Sequence, residues 1–289
     1  MRRSGEYSGD MSFRSESFLP EQLLQAEDFA YRAAEGISGR LKENFGTCDY
    51  STKSDERDWV TEYDLWAEEQ IKADLRKFSR DIGFLGEEYG AEGNQDVHWS
   101  IDSIDGSSFF VRGIPYCYTM LSLVDHDVPV ASVIYDFVHG KSYSAVAELG
   151  AHEDLRKPLH VSSRPLSTAY VEVYTDENTL CGEDLAKSIE AEGAYLLRTA
   201  AMGHTLVSIA KGGTEGFVSL RNPFATEWDV APGVLLIHEA GGMVRNIGSD
   251  KFSLKNPDFI ASNQEVYSDL RQIAFVNRET GLAQVTQNT

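Results

Sequence analysis

The chain has 289 residues, which suits one large domain or two small ones at about 150 residues per domain. It carries 26 Lys and Arg against 46 Asp and Glu, a net charge of −20, and 42% of its residues are hydrophobic. That composition excludes disorder throughout, and the acidity repels phosphate backbones and anionic membranes, so neither nucleic acid nor membrane is an expected partner.

An acidic surface still admits an anionic substrate, because bound divalent cations reverse the sign of a cleft. The three cysteines, Cys48, Cys117 and Cys181, form no CxxC pair, so neither a zinc knuckle nor a disulfide framework is indicated. The opening MRRSGEYSGDMSFRSESF has two basic residues but no apolar run behind them and does not read as a secretory signal. No stretch of about 18 apolar residues occurs to span a membrane. A cytoplasmic location is the expectation.

Residues 1–18 are rich in Ser, Gly and charge and read as a flexible arm. Pro20 opens a helix with Ala30, Ala34, Ile37, Leu41 and Phe45 recurring three or four apart. A polar connector from Cys48 to Arg57 precedes a second helix starting near Thr61, with Ala67, Ile71, Leu75 and Phe78 on one stripe. Strands are expected at 82–85 and 98–102, then an antiparallel meander at 118–124, 128–137 and 141–147. Beyond about residue 155 the rhythm becomes alternating: strands at 169–174, 195–198, 217–220 and 259–261, with helices at 183–191, 201–210, 230–240 and from 265 onward. The expected architecture is α/β, an N-terminal α+β subdomain (19–155) and a C-terminal α/β subdomain (156–289) with a cleft between them.

The most informative stretch is His98-Trp99-Ser100-Ile101-Asp102-Ser103-Ile104-Asp105-Gly106-Ser107. An apolar strand runs into two carboxylates three residues apart, close enough to share one cation, and hard oxygen ligands suit Mg²⁺. Gly106 lets backbone approach a ligand, and a helix starting at Ser107 would offer free N–H groups to an anion. An Asx-turn with a capping Ser on a solvated surface is the alternative. Three further segments bear on the choice. Gly86-Glu87-Glu88 follows a short strand and offers a third carboxylate, or a solvated pair. Asp64 in Asp58-Trp59-Val60-Thr61-Glu62-Tyr63-Asp64 sits in the first turn of a helix, where a dipole role would suffice. Asp229 in Glu227-Trp228-Asp229-Val230-Ala231-Pro232-Gly233 lies at another helix start, where plain N-capping, with Pro232 in the first turn, fits equally well.

Taken in chain order, the four segments resemble the inositol monophosphatase family of lithium-sensitive, magnesium-dependent phosphatases, over roughly residues 21–275. That family carries D-x-V-T-x-x-D, then GEE after a strand, then W-x-I-D-P-I-D-G-T/S-x-x-F, and later W-D-x-A-x-G with E-A-G-G. The resemblance implies the layered αβαβα sandwich of the family and two or three Mg²⁺ ions. Glu87, Asp102 and the Ile104 carbonyl would hold one ion, and Asp102 would bridge to a second completed by Asp105 and Asp229. Asp64 would orient Ser107 and accept its proton, Ser107 would bond the attacking water, and the Gly106 and Ser107 amides would hold phosphate oxygens. Lys53 is a weaker match to a lysine near the phosphate. The implied reaction is direct in-line attack of a metal-activated water on a phosphate monoester, and the implied assembly is a homodimer.

Three departures stand out. Ser103 replaces the family's Pro, which is expected to loosen the loop between the carboxylates; Phe109 stands where many members have Asn; Pro232 takes the place of a small residue. For the substrate, a small sugar-alcohol or inositol monophosphate is expected, with a 3′-phosphoadenosine 5′-phosphate phosphatase or a histidinol phosphatase as alternatives. A regulatory binding protein with the same fold is the alternative of another class.

Overall fold

The computed structural model describes residues 13–287 except 54, 55, 57, 58, 176–179, 223 and 224. Its N-terminal helix, α1 (Pro20–Asn44), begins where expected: Pro20 takes the first position, and the Gln22 side chain accepts the Leu19 amide. One face is built of Leu23, Ala26, Ala30, Ala33, Ala34, Ile37 and Leu41, all buried, and the alanines allow close approach to a sheet. The connector expected at 48–57 contains instead a short hairpin strand, β1 (Ser51–Thr52), antiparallel to β2 (Trp59–Val60). Helix α2 (Glu62–Leu75) follows, capped by Thr61.

The strands β3 (Gly83–Gly86), β4 (Gly90–Glu92), β5 (Val97–Asp105), β6 (Tyr118–Asp125), β7 (Val128–Asp136), β8 (Lys141–Val146), β9 (Gly150–Glu153) and β10 (Lys157–Pro158) form one sheet in the order β10-β9-β8-β7-β6-β5-β3-β4. From β5 to β10 it is an antiparallel meander, while β3 runs parallel to β5. A short helix, α3 (Ser107–Arg112), links β5 to β6. Every residue of β6 is buried, so both faces of the sheet are covered.

A second sheet of five strands holds β11 (Tyr170–Thr175), β12 (Tyr195–Leu197), β13 (Gly216–Leu220), β14 (Met243–Asn246) and β15 (Phe259–Ser262), in the order β12-β11-β13-β15-β14. Strands β12, β11 and β13 are parallel; β15 is antiparallel to both of its neighbours. Helices α4 (Leu180–Ala191) and α7 (Gln264–Gln287) pack on this sheet and on each other. Helices α5 (Met202–Ala210) and α6 (Glu227–Glu239) lie against both sheets, while α1 and α2 cover the first. The layers therefore run α1/α2, large sheet, α5/α6, small sheet, α4/α7, the αβαβα sandwich expected. No helix among the described residues is long and apolar enough to cross a membrane.

Two further expectations are corrected. Residues 1–12 of the expected flexible arm lie outside the described residues, but residues 13–18 are fastened down. Phe13 is buried against the His238 ring at 4.5 Å, and the Ser15 and Ser17 hydroxyls with the Glu16 and Ser17 amides all donate to Asp125. Burial alone would raise the Asp125 carboxyl, but these donors and His126 outweigh it and bring it down to about 2. The second difference is Pro232, which lies in the second turn of α6 because the helix starts at Glu227 rather than Val230.

Close packing of α5 on α6 depends on Gly233, where an added Cβ would lie 2.2 Å from Leu206 Cδ1. Gly233→Ala is expected to destabilise the fold by about 1–3 kcal/mol through overpacking, read as a melting temperature lower by several degrees in calorimetry.

Candidate active site

Asp102 and Asp105 are three residues apart, so an unbroken strand would send them to opposite faces of the sheet. The pairing of β5 with β6 is interrupted here: Asp102 faces Met120 and Asp105 faces Tyr118, so three steps on β5 match two on β6. The extra residue is a bulge, and it brings both carboxylates to one side. The Ile104 amide donates to Asp102 Oδ1 at 3.0 Å. Ser103 is buried and held from two directions: its hydroxyl donates to the Asp64 carbonyl at 2.9 Å, and its carbonyl accepts from Thr119 Oγ1 at 2.9 Å. The expectation that Ser103 loosens this loop is therefore corrected; its hydroxyl supplies a tether that a proline could not.

Asp105 Oδ2 accepts the Gly203 amide at 2.9 Å, capping the start of α5. Gly203 is required there, since a Cβ would come within 2.8 Å of that oxygen. Gly106 has φ +81°, and a Cβ on it would meet the Tyr116 carbonyl at 2.7 Å. The chain then turns directly into α3, whose first residue, Ser107, donates its hydroxyl to Asp64 Oδ1 at 2.7 Å, with the Ile104 carbonyl 3.0 Å away as a second acceptor.

Two helix starts complete the site by the same device. In Thr61-Glu62-Tyr63-Asp64 the Asp64 carboxylate reaches back to the Thr61 amide at 2.7 Å and its hydroxyl at 2.6 Å. In Thr226-Glu227-Trp228-Asp229 the Asp229 carboxylate accepts the Thr226 amide at 3.0 Å and its hydroxyl at 2.5 Å. Both are capping boxes closed by an aspartate. The capping and functional readings of these aspartates are thus compatible. In Asp64 one oxygen caps and the other meets Ser107, while Asp229 caps and still brings a ligand oxygen within 4.8 Å of those of Asp102 and Asp105.

Glu87 and Glu88 follow β3 on a tight turn. Lys53 Nζ bridges them, 2.8 Å from Glu87 Oε1 and 2.7 Å from Glu88 Oε1. Beneath the turn lies a pair that the sequence reading missed. Glu68 Oε2 accepts the Glu88 amide at 2.9 Å, and Glu68 Oε1 pairs with Lys72 Nζ at 2.7 Å, both side chains almost fully buried. Gly86 makes room for this carboxylate, since a Cβ there would sit 1.9 Å from Glu68 Oε1. The signal was the four-residue spacing of Asp64, Glu68 and Lys72 along one face of α2, hidden beside the apolar stripe of Ala67, Ile71 and Leu75.

The electrostatics follow from crowding. Burial, then the charges of Glu87, Asp105 and Asp229, pushes the Asp102 carboxyl well above its ordinary range, and burial with Glu87 does the same to Asp229. Burial raises Asp105 to about 7 against the opposing Gly203 amide. Asp64 is raised by burial, in part offset by its bonds from Thr61 and Ser107. Burial lifts Glu88 to about 7 despite Lys53. Burial works against the Lys53 ammonium, but Glu87 and Glu88 outweigh it and raise its pKa. Among the described residues, Asp102, Asp105 and Asp229 bring carboxylate oxygens within 4.8 Å of one another. Glu87 stands outside that circle, held by Lys53, yet its charge is the largest single one acting on each of the three. Hard oxygen donors that repel one another in a buried place fit a divalent cation such as Mg²⁺ or Mn²⁺.

A sequence model of the inositol monophosphatase family matches residues 20–277. The chain is 28% identical over 262 residues to a fructose-1,6-bisphosphatase/inositol-1-monophosphatase of Aquifex aeolicus, covering 88% of this chain and 97% of that one. It is 30% identical over 223 residues to an inositol-1-monophosphatase of Mesorhizobium japonicum, covering 72% and 80%. Among solved structures, the extragenic suppressor protein suhB of Bartonella henselae superposes with a TM-score of 0.79 at 25% identity, covering 86% of this chain and 98% of that one. The motifs, the layered fold and these likenesses agree: the chain belongs to the inositol monophosphatase family and is a phosphoric monoester hydrolase.

Proposed function

We propose that the protein is a Mg²⁺-dependent phosphatase that hydrolyses a small phosphate monoester, an inositol monophosphate or related sugar-alcohol phosphate, by in-line attack of water. The observation that carries this reading is the convergence of Asp102, Asp105 and Asp229 within 4.8 Å, with Glu87 beside them. These four carboxylates and the Ile104 carbonyl are the residues to hold two or three ions. Bound ions would supply a lowered pKa for water and neutralisation of the phosphate and leaving-group charge. Ser107, whose hydroxyl donates a hydrogen bond to Asp64, keeps a lone pair to accept a hydrogen bond from the attacking water and orient it. Asp64, anchored by Thr61, takes up the proton that follows. The Gly106 and Ser107 amides, at the start of α3, would hold phosphoryl oxygens. Lys53, which pairs with Glu87 and Glu88, would hold that turn in place and set a positive charge beside the phosphate when Glu87 serves an ion. A regulatory binding role on the same fold is disfavoured by the retention of all four carboxylates.

The test is phosphate release from a panel of inositol, fructose bisphosphate, histidinol and adenosine phosphates. Turnover is expected only with Mg²⁺, fastest on the polyol phosphates, and reduced at least about 100-fold in Asp102→Asn, because Asp102 would serve more than one ion. Undiminished turnover in the variant would overturn the role of Asp102.

Asp105, raised to about 7 from an ordinary value of 3.8, sets a pH dependence. Its ionised form is disfavoured in the fold, so the metal-free protein loses stability as pH rises from about 4 through about 7, and a cation reverses that loss. The melting temperature of the metal-free protein is expected to fall between about pH 4 and 7 and to level off above that, and the increase on adding Mg²⁺ to grow over the same interval. A Mg²⁺ effect independent of pH would contradict this.

Gly86→Ala drives a methyl into the Glu68 carboxylate and deprives the Glu88 amide of its acceptor. The displaced turn is expected to raise the half-saturating Mg²⁺ concentration about tenfold or more, by analogy with loss of other groups that orient metal ligands. Calorimetric titration with Mg²⁺ reads the change without turnover.

A further inference from the structure

The two ends of α2 differ in chemistry. Its first turn carries Asp64 toward the catalytic carboxylates, whereas Arg76, twelve residues on and about 18 Å along the axis, opens onto a groove of about 760 Å³. Arg76, Lys77 and Arg80 line this groove against a single carboxylate, Glu92, with Phe78, Ile82 and Phe84 among its other walls. In a chain of net charge −20 that is a local inversion of sign. Two of the three cations have exposed, exchangeable partners: Arg76 pairs with the half-exposed Glu92, and Lys77 with Asp74. Arg80 is exposed and forms no ion pair among the described residues. Arg76 is set in place, its guanidinium 5.0 Å over the Phe84 ring.

We propose that this groove binds a small polyanion, a ligand carrying two neighbouring phosphate or carboxylate groups, at a site separate from the catalytic carboxylates. The volume is that of a small-molecule site. Planar guanidinium groups at Arg76 and Arg80 suit bidentate contact with phosphate or carboxylate oxygens, with Lys77 as a third charge. Glu92 is a rim carboxylate whose ion pair is weak enough to yield to a doubly charged competitor. A nucleic acid or an acidic protein is the wrong occupant, because either would extend past the groove onto the acidic surface around it and be repelled. Complementarity to the C-terminal dipole of α2 accounts for Arg76 and Lys77 near the helix end; it does not account for Arg80, which lies beyond the last turn and on the wall of the same groove.

Metal-free protein isolates the proposed site, since the uncompensated catalytic carboxylates then exclude anions. Full-length protein stripped over a chelating resin is titrated calorimetrically with inorganic pyrophosphate at low ionic strength. One saturable site with a dissociation constant of about 1 mM or tighter is expected, weakened at least about tenfold in Lys77→Ala/Arg80→Ala. Both side chains are exposed, so the double variant should fold, which circular dichroism verifies. Lys187→Ala removes a similarly exposed cation from α4 and is expected to leave binding unchanged. Absence of saturation, equal binding by the double variant, or an equal loss in Lys187→Ala would each overturn the proposal.

Discussion

Mutual repulsion among buried carboxylates is the constraint around which the molecule is arranged. Asp102, Asp105 and Asp229 converge, with Glu87 adding the strongest charge on each, and nothing about that cluster favours folding by itself. The fold holds it through contacts at the rear of each side chain: the Ile104 amide on Asp102, the Gly203 amide on Asp105, the Thr226 cap on Asp229 and the Lys53 ammonium on Glu87. Each contact leaves part of its carboxylate facing inward. A site that binds cations is in this sense a strained acidic centre waiting for countercharge, and stability and catalysis draw on the same electrostatic term.

Much of this was readable in the chain itself. The helices from Pro20 and Thr61 and the strands of the meander follow from periodicity, because their burial patterns are simple. The elements that escaped are short or lack a pattern: the β1–β2 hairpin is two residues deep, and β14 (Met243–Asn246) is preceded by glycines that read as a turn. Asp102 and Asp105 were legible because acidic residues at the end of an apolar strand have few structural reasons to be there, whereas Asp64 and Asp229, at helix starts where capping suffices, stood out only through the order of the family's motifs. Their companions were not. Glu68 and Lys72 look like solvated helix charges until the structure shows both buried and paired under the Glu87–Glu88 turn. The bulge between Asp102 and Asp105 leaves no sequence signature, yet without it the two carboxylates would face apart.

Ser103 illustrates how a departure from a family pattern can be compensated locally. A proline stiffens a loop by restricting its own backbone. Serine leaves that freedom, but here its hydroxyl crosses to the Asp64 carbonyl while Thr119 holds its own carbonyl. The restraint moves from a ring to a pair of hydrogen bonds, one of which joins β5 to α2, the helix whose Asp64 accepts the Ser107 hydroxyl.

The paired Thr-Glu-aromatic-Asp starts of α2 and α6 have a consequence for how such a protein can fail. One belongs to the outermost helical layer and the other to the layer sandwiched by the sheets, and the gap in sequence between them is more than half the chain. On the proposed mechanism neither severed fragment could inherit partial competence, nor could an incompletely folded intermediate, since Asp64 and Asp229 come together only once both layers have docked. If Asp64 and Asp229 act as proposed, synthesis must pass Asp229 before the nascent polypeptide acquires that chemistry, and fraying at the start of either helix would silence it while leaving most of the secondary structure intact.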